Sequence, residues 1–228
     1  MPAAGSRRGL PTQGTLKYFY GPMDCGKSTL ALQVDHNHSR QGRRGLLLTK
    51  LDRSRTGQIT SRMGLTRDAV EVDDSMDLRD LVRASWATGR RVDYVIVDEA
   101  QFFSPAQIEQ LAQLADDAQV DVYAFGIATD FRSRLFPGSQ RLFELADEVV
   151  PLQVEVLCWC GRPGRFNARV VDGRIAREGA TVMVADLTDT VPSPTEETVR
   201  YQVLCRVHHR SGDLGPDSGP ELPLTDFD

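Results

Sequence analysis

The chain has 228 residues, enough for one large domain or a domain plus a small module, and its net charge of −5 argues against a large nucleic-acid-binding face. The apolar fraction of 40% and the charged fraction of 26% are those of an ordinary soluble globular protein, with no apolar run near the ~20 residues a bilayer span needs. Residues 1–14 are small, polar and basic and lack the apolar core of a secretory signal. They are expected to be flexible, and the expected location is the cytoplasm, without membrane attachment.

In chain order, Leu16-Lys17-Tyr18-Phe19-Tyr20 reads as a short strand and residues 28–41 as a helix. Between them, Gly21-Pro22-Met23-Asp24-Cys25-Gly26-Lys27-Ser28 matches the phosphate-binding pattern G-x-x-x-x-G-K-[ST] at every specified position. In such a loop successive backbone N–H groups cradle phosphate oxygens. Lys27 would reach the β and γ phosphates, Ser28 would help hold Mg²⁺, and the helix dipole would face the anion. Cys25, at a helix N-terminus, is a candidate for a lowered thiol pKa, although a small packing residue is the simpler reading. His36 and His38 are two apart on the helix, share no face, and read as solvated.

Residues 45–49 form a near-continuous apolar run, as expected for a strand buried on both faces. Residues 50–66 are long and polar and read as a mobile lid. A helix is expected over 76–88, a buried strand over 92–97, a helix over 105–117 with Pro105 in its first turn, and a strand over 120–126. Strands alternating with helices imply a mostly parallel α/β sheet, with ligands at the strand C-terminal ends. The strand before Asp98-Glu99 ends in two acids. Asp98 suits Mg²⁺, and Glu99, leaving the strand in another direction, suits proton abstraction from a nucleophile. That nucleophile could be water, giving an ATPase, or a substrate hydroxyl, giving a kinase.

After Pro151 helical periodicity stops. Short β-like runs (154–157, 167–171, 181–185) alternate with turns such as Asp172-Gly173, residues 186–198 read as a flexible excursion, and disorder is expected from Ser211 onward. The four cysteines are Cys25, Cys158, Cys160 and Cys205. The last three stand near His208 and His209, a set more suited to a metal than to disulfides in a cytosolic chain. Cys158, Cys160, Cys205 and a histidine offer four soft or borderline ligands for tetrahedral, structural Zn²⁺. The domains expected are residues 15–150 for the nucleotide, 151–210 for the metal, and a tail of 211–228.

These pieces together resemble the type II (cytosolic, zinc-lasso) thymidine kinase family. The resemblance is carried by Gly21-Pro22-Met23 with Gly26-Lys27-Ser28-Thr29, by Asp98-Glu99-Ala100-Gln101-Phe102-Phe103, and by Gly126 with Thr129-Asp130-Phe131. It continues through Phe136-Pro137-Gly138-Ser139, Cys158-Trp159-Cys160-Gly161 and Tyr201 with Cys205-Arg206-Val207-His208, across residues 16–209. It implies a phosphate-loop domain with a zinc lasso, and transfer of the ATP γ-phosphoryl group to the 5′-hydroxyl of thymidine in nucleotide salvage for DNA synthesis. It makes Glu99 the general base and places residues 21–29, Asp98 and Gln101 on the ATP side. Met23, Phe102 and Phe131 would line the nucleoside pocket, with Gln101 bordering it. Val182 and Val184 would meet the base through backbone groups, although Ala185 and Asp186 depart from the glycines usual there. Tyr201 would reach the nucleoside, and Asp52 would lie near the phosphates or sugar, with Arg53, Arg55 and Arg62 unranked beside it. The family spacing favours His208 over His209 as the fourth zinc ligand, and Cys158-Trp159-Cys160 is tighter than the C-x-x-C of many members. A homotetramer is implied as well. The competing readings are an ATPase and a zinc-ribbon nucleic-acid module, the latter disfavoured by the acidic charge.

Overall fold

The computed structural model describes residues 13–50, 57–61, 64–179 and 199–216. Asp52, Arg53, Arg55, Arg62, Val182, Val184, Ala185 and Asp186 lie outside them, as does the expected strand at 181–185. The core is a six-stranded, wholly parallel sheet built from β1 (Leu16–Tyr20), β2 (Gly45–Thr49), β5 (Val70–Glu71), β6 (Tyr94–Val97), β7 (Asp121–Gly126) and β8 (Glu148–Pro151). Their order across the sheet is β5-β2-β6-β7-β1-β8, so β7 separates the strand leading into the phosphate loop from the strand ending in the two acids.

Side-chain alternation assigns each residue to a face. Val95 and Val97 of β6 join Leu16, Tyr18, Val122 and Ala124 under α2 (Leu78–Ala87), α3 (Pro105–Ala118) and α4 (Pro137–Leu145). Tyr94 and Ile96 turn the other way and pack with Phe125, Ala31 and Leu32 beneath α1 (Lys27–Arg40). All four residues of β6 are fully buried, which explains its unbroken apolar run. Each such side chain contributes about 1.5–3 kcal/mol of transfer free energy.

Three local devices hold the site in place. Helix α3 starts on a reciprocal capping box between Ser104 and Gln107, with Pro105 at its first position. Helix α4 crosses so close to the segment after the acid pair that a Cβ on Gly138 would stand 2.5 Å from the Phe103 carbonyl oxygen. Neither α4 nor the following β8 is among the elements expected from the sequence, and the Pro-Gly-Ser start of α4 carries little helical signal. Within the expected lid, β3 (Gln58–Thr60) pairs antiparallel with β4 (Thr66–Asp68), and Ile59 is buried against the α1 face. One apolar side chain thus anchors part of a segment whose polarity suggested mobility. His38 also departs from expectation: its ring lies 4.9 Å from that of Tyr94, and its Nδ1 is 2.8 Å from the Arg43 guanidinium.

The C-terminal unit is a three-stranded antiparallel sheet with β9 (Phe166–Val171) at its centre, flanked by β10 (Arg174–Ile175) and β11 (Val199–Leu204), and closed by α5 (Arg206–Ser211). The expected strand at 154–157 is absent apart from a bridge between Leu157 and Pro163, and Val154 is exposed. Residues 211–216 are ordered against the unit instead of forming part of a disordered tail. Leu214 is buried in its core, and its carbonyl accepts from the Gln202 amide.

Candidate active site and metal centre

The phosphate loop joins β1 to α1. Gly26 caps the helix at φ 77°, ψ 25°, a left-handed conformation that any side chain would strain, and no acidic residue lies in the first turn. The helix N-terminus is therefore open to an anion. The Lys27 ammonium folds back to donate to the Pro22 carbonyl at 2.7 Å. Cys25 is fully buried, and burial pushes its thiol pKa up despite neighbouring Lys27, the reverse of the sequence expectation.

Across β7, the chain leaves β6 through the acid pair. Asp98 is buried, and burial first, then the adjacent Glu99, push its carboxyl from 3.8 up to about 7. The Ser28 hydroxyl hydrogen-bonds it and, with Lys27, pulls the other way. Two oxygen-bearing side chains that meet at a phosphate loop are a donor set suited to Mg²⁺. Glu99 takes φ 53°, ψ 38°, a left-handed conformation that costs a non-glycine residue about 1–3 kcal/mol and concentrates at functional sites. Its carboxylate accepts from the Gln101 side-chain amide, whose oxygen in turn accepts from the Ile127 backbone N–H at 3.0 Å. Gln101 is thus a buried brace between the end of β7 and Glu99.

In the C-terminal unit, ligand atoms of Cys158, Cys160, Cys205 and His208 all lie within 4.8 Å of one another. The Cys160 and Cys205 sulfurs are 4.0 Å apart, close to the ~3.8 Å edge of a tetrahedron with 2.3 Å metal–sulfur bonds. The His208 Nδ1 sits 3.3 Å from the Cys158 sulfur and 3.6 Å from that of Cys205. The geometry and the donor types fit Zn²⁺, and four protein ligands leave no open position. The His208 backbone N–H lowers the Cys205 thiol pKa, favouring the thiolate that a metal needs. Trp159 stacks on His208 at 4.2 Å, and Gly215 packs against its indole.

A family model described as thymidine kinase matches residues 14–209. Thymidine kinases of Streptomyces coelicolor, Streptomyces avermitilis and Cutibacterium acnes are 58%, 53% and 52% identical to the chain over 195, 195 and 207 residues. These alignments cover 86%, 86% and 91% of this chain and 88%, 88% and 93% of the relatives. The chain belongs to the thymidine kinase family. Among solved structures, the Pif1 helicase of Candida albicans is similar at a TM-score of 0.38 and 14% identity, over 61% of this chain and 36% of its own, too remote a likeness to bear on the site.

In this thymidine kinase family member the remaining sequence-predicted residues fall as follows. Phe102 is half-buried, edge-on to Phe136 at 5.7 Å. Phe131 is buried in the loop after β7, with the Arg169 guanidinium 3.8 Å from its ring centroid. Tyr201 pairs with Arg169 across β11 and β9, so the two share a face of that sheet. Met23 is half-buried, and its backbone N–H donates to the Asn167 side-chain oxygen at 2.8 Å.

Asn167 and Arg169 are the site-region residues that sequence reading missed, and His209, read there only as the rival of His208 for the metal, instead donates toward the Phe131 carbonyl. Asn167 and Arg169 alternate with Ala168 and Val170, a pattern that ordinarily marks a solvated strand face. Here that face covers the phosphate-loop domain, and both residues are buried. The alternation was visible, but nothing in it told a water-facing from a domain-facing side.

Proposed function

We propose that the chain transfers the γ-phosphoryl group of ATP to the 5′-hydroxyl of thymidine, giving dTMP. The observation that carries the reading is Glu99. It is a partly buried carboxylate next to Asp98 in a strained backbone conformation, braced by the Gln101 amide, in a chain with a complete phosphate loop that belongs to the thymidine kinase family. In this reading residues 21–29 hold the ATP phosphates, and Lys27 exchanges the Pro22 carbonyl for phosphate oxygens. Ser28 and Asp98 would hold Mg²⁺, which supplies charge neutralisation when bound. Phosphoryl transfer has a loose transition state, so aligning the two substrates and offsetting charge supply most of the rate. Glu99 orients the 5′-hydroxyl and accepts its proton as the oxygen attacks.

Met23, Phe102, Phe131 and Tyr201 form the nucleoside side in the same proposal, joined by Asp52, Val182 and Val184. Gln101 serves through Glu99 and not through ATP. The metal cluster is structural zinc. Cytoplasmic work as a homotetramer belongs to the proposal on the family resemblance alone, and among the described residues no helix is long and apolar enough to cross a membrane. The test is ADP release with and without thymidine. Release that depends on thymidine supports a kinase, whereas equal release without any nucleoside leaves Glu99 activating water.

A further inference from the structure

We infer that His209, the neighbour of a metal ligand, is a positioning residue for the nucleoside site. His209 is buried in the last turn of the unit's closing helix, and its Nε2 lies 2.9 Å from the Phe131 backbone carbonyl. A carbonyl can only accept, so Nε2 carries the proton and donates. The imidazole is fixed on its other side by stacking on Phe166 at 5.2 Å, and Arg177 donates to the His209 backbone carbonyl. Within the Phe131 loop itself, the buried Asp130 carboxylate accepts the Arg132 and Arg134 backbone N–H groups at 2.9 Å each. That internal turn fixes the shape of the loop but not its place relative to the C-terminal unit. His209 supplies the placement through the Phe131 main chain, and Arg169 supplies it through the ring face. The same short helix carries His208 into the metal cluster. Metal loading and the position of Phe131 are therefore joined through a single turn of helix.

The inference rests on the reading of Phe131 as a wall of the nucleoside site. It predicts a change in thymidine binding and not in ATP use. His209→Phe keeps the stack on Phe166 and deletes the donor; His209→Gln keeps a donor nitrogen. In the full-length, zinc-loaded protein, His209→Phe is expected to raise the KM for thymidine about tenfold, the scale of one buried hydrogen bond. The KM for ATP and kcat should hold within about twofold, and His209→Gln should recover most of the loss. A thymidine KM unchanged in His209→Phe overturns the role, as does an equal rise in the KM for ATP. Loss of zinc in His209→Phe also overturns it, since His209 would then serve the cluster and not Phe131. If the unsubstituted chain does not phosphorylate thymidine at all, the kinase reading falls and this inference with it; an active parent with an unaffected variant refutes only His209.

Discussion

In the proposed mechanism Glu99 acts as the base through its position, and its carboxylate is held by the Gln101 side-chain amide. Glu99→Gln should lower kcat by about 10²-fold, the scale of a lost general base, with ATP binding retained. An unchanged kcat would remove Glu99 from its role. Gln101→Leu should lower kcat by about tenfold or more through misplacement of the carboxylate, while leaving the KM for ATP unchanged. A raised KM for ATP with normal kcat would return Gln101 to the ATP side, where its motif alone put it. Asp98 makes a separate prediction in pH. Its carboxyl is raised from 3.8 to about 7, so the folded protein keeps a proton that the unfolded chain releases. Its contribution to stability is full below the ordinary value and is lost as pH rises through about 7. The Tm of Asp98→Asn relative to the parent should therefore climb between pH 5 and pH 8 in the absence of divalent cation. A flat difference would show that Asp98 titrates normally. The acid pair and the loop were legible because each motif packs its chemistry into adjacent residues. The brace on Glu99 was not, because its second anchor, the Ile127 N–H, is distant in sequence and reached only through the fold.

At the level of elements, the Cys/His cluster brings His208 of α5 and Cys205 at its cap against the loop that holds Cys158 and Cys160. Cys205→Ser should lose zinc and, with it, the order of α5, since structural metal binding and local folding are one equilibrium. Metal analysis showing full zinc in that variant would mean the cluster is misread. The chain has 2 tryptophans, and only Trp159 stacks on a cluster histidine. Chelating the metal should therefore change the Trp159 component of the emission, leaving Trp86 on α2 as an internal reference. Identical spectra before and after removal would contradict the stacked arrangement. Ligand spacing made the cluster readable. The order of residues 211–216 was not, because it comes from one buried leucine and an indole that packs on glycine. A composition of Gly, Pro, Asp and Ser carries no trace of either contact.

Across the whole molecule, the two units meet through Met23 and Phe131. The parallel sheet presents the phosphate loop and Glu99 at its strand ends, and from the C-terminal sheet Asn167 meets Met23 of that loop while Arg169, paired with Tyr201, packs on Phe131. The alternating strand–helix pattern announced the first unit because a sheet buried on both faces needs long apolar runs. It could not announce how the second unit docks, since the docking face is polar. That face nevertheless explains how residues as far apart as Met23 and Asn167 come to be hydrogen-bonded. The most direct test of the account follows the phosphate itself, by incubating the chain with thymidine and ATP labelled at the γ position. The label is predicted to appear on the 5′-oxygen of dTMP, one per ADP formed. Label released as inorganic phosphate at the same rate whether or not thymidine is present would contradict the account.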